Sequence, residues 1–399
     1  MNKGVAITGM GIISAIGNNV EENFHALTSG QKGISPTDNI DTVHKGEIKF
    51  GEIKKTNAEL IVELGLPPDN NFSRTALLGT LAAKQAVENA GISDVNSYRT
   101  GLVNSTSVGG MDTTENHYYE YFEKPETVKY IAAHDGGDVS QKIAEELGLQ
   151  GFVTTISTAC SSAANAIMLG ARMIKAGKLD RVIVGGTDAL AKFTINGFKT
   201  LMILTDSYNT PFDNDRKGLN LGEAAAFLVL ESDAVVEKEG KKVLARVIGY
   251  ANANDAYHQT ASSENGEGAT LAMKKAFEVA GISPEEIDYI NMHGTATPNN
   301  DLSEGRAVLR VYEGKNVPDF SSTKAFTGHT LAAAAAIEAV YSVLAIQNGV
   351  VFPNLNFKTR MNEFDLLPQT EIKHKNIDKV LSNSFGFGGN CSTVIFSKD

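Results

Sequence analysis

Apolar residues run almost without interruption from Val5 to Ile16, and a continuous run of this length predicts a strand buried on both faces. Gly17-Asn18-Asn19 follow at once, so the strand enters a glycine turn. Placed behind Met1-Asn2-Lys3, the run superficially resembles a signal peptide, but Gly9 and Gly11 punctuate it and no small-residue cleavage site closes it. Gly9-Met10-Gly11-Ile12-Ile13-Ser14 also imitates a dinucleotide fingerprint. It lacks the third glycine and the acidic residue about 20 positions later that such a site needs.

Amphipathic helices recur in a way that organises the chain. Ala82–Ser93 reappears as Ala272–Ser283 at an offset of 190, with eight of twelve positions identical. Each copy is a helix ended by a glycine cap, then a polar linker, then a strand: Thr100 to Asn104 in the first, Tyr289 to Met292 in the second. Further on, Val153 to Ser157 leads into an Ala-rich helix from Ser161 to Ala176, and Phe320 to Ser322 leads to another from Leu331 to Asn348. A last apolar strand ends in glycines in each half, Arg181 to Gly186 and Lys379 to Gly389. The pattern predicts an α/β protein with mixed sheets covered by helices and two halves from one duplicated unit, 1–250 and 251–399.

Composition narrows the function classes. With 42% hydrophobic and 21% charged residues in 399, the chain is an ordinary globular protein, and no membrane is expected as partner. A net charge of −11 offers no global field for nucleic acid or anionic lipid, so an acidic partner needs a local basic patch. Two cysteines cannot form a disulfide framework and fit a reducing, cytoplasmic setting.

The candidate chemistry sits at strand ends. Cys160, in Thr158-Ala159-Cys160-Ser161-Ser162, occupies a strand-to-helix turn where unpaired N–H groups and the helix dipole lower a thiol pKa and can serve an oxyanion. A buried packing cysteine is the plain alternative. His293 ends the second half's first paired strand, and His329 directly precedes a helix. Zinc is a rival for a Cys/His/His set, but spacings of 133 and 36 residues match no compact ligand motif and Lys324 would repel the ion, so no metal is expected. Glu338 is the one formally charged residue between Ala325 and Phe357, and must be paired or hydrogen-bonded. Asn383-Ser384-Phe385-Gly386-Phe387-Gly388-Gly389-Asn390 is a strand end whose glycines let backbone amides approach a reacting carbonyl.

These motifs, with Pro211-Phe212-Asp213, Arg216, Gly222-Glu223, Asp255-Ala256-Tyr257-His258, His293-Gly294-Thr295-Ala296-Thr297-Pro298 and Thr327-Gly328-His329, span the chain. Together they resemble the elongating β-ketoacyl-acyl carrier protein synthases. The resemblance implies a duplicated thiolase-like fold, five-layer αβαβα with two mixed sheets. It also implies a triad in which Cys160 accepts an acyl chain and His293 and His329 assist decarboxylation of a malonyl unit, supported by Lys324 and Glu338. The N–H groups of Cys160 and Phe387 would hold the thioester oxygen, with Phe387 gating between Gly386 and Gly388, and Val108 and Phe198 would border the acyl pocket. No cofactor is expected beyond the phosphopantetheine of the acyl carrier protein.

The implied partners are that carrier, docked on a basic patch for which Arg74, Lys124 and Lys129 are candidates, and a second copy reached through the segment near Gly109 to Tyr130. A heterodimer with a chain-length factor stays open, as do a non-turnover partner subunit and a thiolase. Cys391 lies outside a thiolase motif and reads as structural. Ala224, Ala332 and Ala335 stand where the family has glycine, Asn390-Cys391 replaces the common Thr-Asn, and Tyr130 to Asp138 is more polar than usual. Those departures leave open a housekeeping fatty acid synthase or a specialised polyene or aryl-polyene enzyme.

Overall fold

The computed structural model describes residues 4–399, so Met1-Asn2-Lys3 lie outside the described residues. Ten strands form the main sheet: β1 (Val5–Ser14), β2 (Thr100–Ser105), β3 (Phe152–Ile156), β4 (Arg181–Asp188), β5 (Ala224–Glu231), β6 (Ala245–Asn254), β7 (Tyr289–Asn291), β8 (Asp319–Ser321), β9 (Lys379–Gly386) and β10 (Asn390–Ser397). Their order is β8-β7-β9-β10-β6-β1-β5-β4-β2-β3. Adding five to each strand number of the first half reproduces the order of the second, which is the duplication written as topology. In each half the first two neighbours of β2 or β7 run parallel, and the remaining pairs are antiparallel.

The two expected mixed sheets are the two five-stranded halves. They are joined where β1 meets β6 over Val5, Ala6 and Ile7, giving one hydrogen-bonded sheet. The division placed near residue 250 falls inside β6; this strand opens the second repeat, so the break between halves precedes Ala245.

Eight helices matter to the site: α1 (Arg74–Asn89), α2 (Met111–His117), α3 (Gly136–Glu146), α4 (Ser162–Lys175), α5 (Lys192–Thr200), α6 (Glu267–Ala280), α7 (Pro298–Val311) and α8 (Ala334–Asn348). Three apolar clusters separate the five layers. One packs α1 and α3 on the first half, one packs α6 and α7 on the second, and the largest encloses α4 and α8 between both halves. Period-two alternation explains how strands buried on both faces serve two cores. Val182 and Val184 face the central layer while Ile183 faces α1; Val394 and Phe396 face the centre while Ile395 faces α6.

The glycines that imitated a nucleotide motif have a packing role instead. A Cβ at Gly9 or Gly11 would stand 2.4 Å from Ala86 O and 2.2 Å from Ala82 O, so α1 lies directly on bare backbone. Gly249 plays the same part in the second half, 2.6 Å from Ala276 O of α6. The 331–348 stretch is long and apolar enough to cross a membrane, yet it lies almost wholly buried at the centre of the protein.

Candidate active site

The turn between β3 and α4 carries Cys160. Ala159 before it has φ 51°, a left-handed conformation that costs a residue with a Cβ and lifts the thiol off the strand. Ser162 holds the turn, its Oγ accepting the Thr158 N–H at 2.8 Å. The end of β9 lies against the same turn: a Cβ on Gly386 would stand 2.7 Å from Thr158 O and 3.1 Å from Cys160 N. This approach brings the Phe387 N–H, with the N–H of Cys160 itself, to the sulfur. Two amides converging there form a ready oxyanion site.

His293 follows β7, and Glu304 of α7 anchors its loop by accepting the N–H groups of His293 at 2.9 Å and Gly294 at 2.8 Å. His329 is pinned by its own N–H to Asn220 O at 2.7 Å and by Gly222 N–H to its carbonyl at 2.9 Å. Its Nδ1 accepts the Leu331 N–H at 3.2 Å, which puts the ring hydrogen on Nε2. Leu331, at φ 54°, and Ala296, at φ 66°, repeat the strained backbone seen at Ala159. The two imidazoles stand edge to face, 5.3 Å apart.

Lys324 sits beside them, buried, with its Nζ 2.5 Å from Glu338 Oε1 on α8. Burial, reinforced by the Lys324 charge, holds both histidines well below the usual imidazole range, so both rings are neutral. Cys160, His293, His329, Phe198, Phe385, Gly386, Phe387 and Cys391 line one cavity of about 290 Å³. In its wall Phe387 stacks on Phe198, with ring centroids 5.7 Å apart.

Comparison with known proteins decides the family. Residues 2–235 match the β-ketoacyl synthase N-terminal domain, and residues 244–358 its C-terminal domain. The chain belongs to the β-ketoacyl synthases. It is therefore a condensing acyltransferase. The synthase is 34% identical to 3-oxoacyl-[acyl-carrier-protein] synthase 2 of Staphylococcus aureus strain N315, over 100% of this chain and 99% of the relative. It is 32% identical to the Vibrio cholerae protein of the same name, over 99% of both. Among solved structures it resembles the ishigamide ketosynthase/chain length factor, with TM-score 0.92, 30% identity and full coverage of both chains. It also resembles the ketosynthase ApeO in complex with its chain length factor ApeC from Xenorhabdus doucetiae, with TM-score 0.85 and 29% identity, over 100% of this chain and 98% of that one.

Several sequence expectations need correction. The helix end does not leave the synthase with a low thiol pKa: burial pushes Cys160 up to about 12, and the Lys324 charge and the two amides offset only part of that. Arg74 is no docking residue. It is buried, with Nε and Nη2 on the Glu223 carboxylate at 2.9 and 2.7 Å. Lys124 and Lys129 are exposed but engage Glu120 and the Asp69 carbonyl, and neither lines the cavity. Val108 packs with Leu190, Ile195 and Leu331 in a small apolar cluster that Phe198 borders; Phe198 reaches the cavity and Val108 does not. Cys391 is buried, yet shares the wall of the cavity with Cys160.

Three buried carboxylates escaped sequence reading. Asp188, at the end of β4, accepts from Thr106 Oγ1, Ser107, the Val108 N–H and the Ala332 N–H, tying both halves together beneath the nucleophile. Glu304 supports His293, and Asp301 accepts the N–H groups of Phe212 and Ala296. Burial raises all three, Glu304 to about 7. Asp188 closes an apolar strand and carried a signal; Glu304 and Asp301 look like ordinary residues of a polar helix.

Proposed function

We propose that this synthase catalyses decarboxylative condensation of a malonyl unit on acyl carrier protein with an acyl chain on Cys160, in type II fatty acid synthesis. The observation that carries this is the meeting of Cys160, His293 and His329 at one cavity, with two amides on the sulfur. In the first step the Cys160 sulfur attacks the acyl thioester, the bond to the carrier's phosphopantetheine sulfur breaks, and the Cys160 proton passes to that departing sulfur, which leaves as a thiol. A resting thiol with a pKa near 12 demands that coupling.

Malonyl carrier then enters. Its C–C bond to the carboxylate breaks, releasing CO2, and the electron pair becomes an enolate whose oxygen accepts hydrogen bonds from the Nε2–H of neutral His329 and from the ring N–H of neutral His293. The enolate carbon attacks the acyl carbonyl, the Cys160–acyl bond breaks with its electron pair on sulfur, the sulfur takes a proton from solvent, and the 3-oxoacyl chain leaves on the carrier two carbons longer. The Cys160 and Phe387 amides hold the tetrahedral oxygen.

The carrier is the partner this chemistry needs, and its phosphopantetheine is the sole prosthetic group required. A second copy would cover β3, an edge strand, and the exposed Tyr118, Tyr119 and Phe122. Mass spectrometry after mixing with acyl carrier protein tests the proposal. A thioester on Cys160, absent in Cys160→Ala, is expected; turnover undiminished in that variant overturns it.

One observation favours a specialised polyene or aryl-polyene pathway, with a chain-length factor as the second subunit. Tyr130 stacks on His117 at 4.1 Å and His134 bonds Thr114, so the 130–138 segment forms an aromatic and polar surface against Gly109 and Gly110. Elongation assays with saturated, unsaturated and aryl acyl carriers decide between the two. Equal preference for medium and long saturated chains sinks the specialised reading.

A further inference from the structure

The α5 helix carries Phe198 to the cavity but is weakly held by its own packing. Of its nine residues only Ile195 is buried, and Ala191 before it offers no side-chain cap. The cap comes from elsewhere in the fold. Glu115, on α2, accepts the Lys192 N–H on Oε1 at 2.9 Å and the Phe193 N–H on Oε2 at 3.0 Å. One carboxylate thus satisfies the first two free amides of α5 and opposes the positive end of its dipole.

Other polar contacts of α5 are Asn196 Oδ1 to His44 Nε2 at 3.2 Å, Lys199 to Glu47 at 2.5 Å, Lys192 to Asp41 at 3.4 Å and the Thr194 hydroxyl to Met111 Sδ at 3.6 Å, and none of them reaches the amides of its first turn. At the other end of the helix, Phe198 stacks on Phe387 with the rings 22° from parallel. Phe387 in turn brings its N–H to the nucleophile. A continuous mechanical path therefore runs from Glu115 through α5 and Phe198 to Phe387.

We infer that Glu115 is a positioning residue that sets how readily the Phe387 gate yields to an incoming acyl chain. The inference rests on the proposed acylation of Cys160 and on Phe387 as its gate. A two-carbon acyl group is the shortest load on the sulfur and displaces Phe387 least. A longer chain must push Phe387 aside, and Phe198 resists through α5 for as long as α5 is capped. Loosening the cap lowers that resistance for long chains alone.

The experiment measures Cys160 acylation rates by mass spectrometry, with acetyl and dodecanoyl carrier protein as probes. The enzymes are wild type, Glu115→Ala, Glu115→Gln, Phe198→Ala and the Glu115→Ala/Phe198→Ala double variant. Glu115→Ala is expected to raise the dodecanoyl-to-acetyl rate ratio about fivefold, the scale set by losing one N-terminal cap. Glu115→Gln, which keeps one acceptor oxygen, is expected to restore part of the wild-type ratio. In the Phe198→Ala background, Glu115→Ala is expected to leave the ratio unchanged. An unaltered ratio in Glu115→Ala, or the same change with and without Phe198, overturns the inference. No acylation of wild-type Cys160 by either probe removes the reading beneath it as well.

Discussion

The Lys324–Glu338 pair is the sharpest place to test how this centre is held together. Both side chains are buried, at 2% and 1% exposure, with no other formally charged residue on the helix that carries Glu338. Glu338→Leu strands the ammonium, and breaking a buried pair from one side costs about 3–5 kcal/mol. Unfolding entropy runs at about 2.1 cal/mol/K per residue, so over 399 residues each kcal/mol moves Tm by about 1.2 °C. Glu338→Leu is therefore expected to melt about 4–6 °C lower.

Lys324→Met is expected to cost less, because burial already pushes the Glu338 carboxyl up and the stranded acid takes a proton. Lys324→Met/Glu338→Leu removes both charges and leaves only the weak Ser384 hydroxyl contact at 3.5 Å without its acceptor. It is expected to regain most of the loss, giving a coupling of at least about 2 kcal/mol in the cycle. Scanning calorimetry on the four proteins measures this directly. Additive Tm shifts would show that the two residues do not compensate one another, and would refute the reasoning.

Three further outcomes follow from the same geometry. With both imidazoles neutral, malonyl decarboxylation is expected to show no inflection near pH 6.5; one that disappears in His329→Ala would contradict the electrostatic account. Glu304, raised from 4.5 to about 7, keeps its proton in the folded state where the unfolded chain has released it. Folding therefore loses stability as pH rises between those values, by up to about 3 kcal/mol, and Glu304→Gln is expected to flatten the Tm profile from pH 5 to 7.5; an unchanged slope argues otherwise. Gly386→Ala, whose Cβ meets the Thr158 carbonyl, is expected to slow Cys160 acylation at least about tenfold. Gly388→Ala, at φ 79° but facing open space, is expected to cost only about 1–2 kcal/mol of strain, and equal acylation defects would refute the steric explanation.

Cys160, His293, His329, Lys324 and Glu338 were legible because each interrupts a local pattern: a thiol or imidazole at a strand end, a charge in an apolar run. Asp188 had half of that signal. Glu304 and Glu115 had none: Glu304 turns back onto the loop before its own helix and Glu115 reaches a helix 77 residues on, yet each resembles any helix-surface glutamate. Arg74 misled for the same reason: an arginine at a helix start gives no sign that Glu223, 149 residues on, has drawn it inside.

By itself the sequence determined the elements, the duplication and the turns that bear the chemistry. Those features follow from short-range rules, the period of apolar residues and the backbone freedom of glycine. Tertiary structure alone decided which strands adjoin, that Cys391 shares the cavity of Cys160, and that burial raises the thiol where a helix end would have lowered it. Solvation and charge act through space, and a chain read in order does not contain the distances that set them.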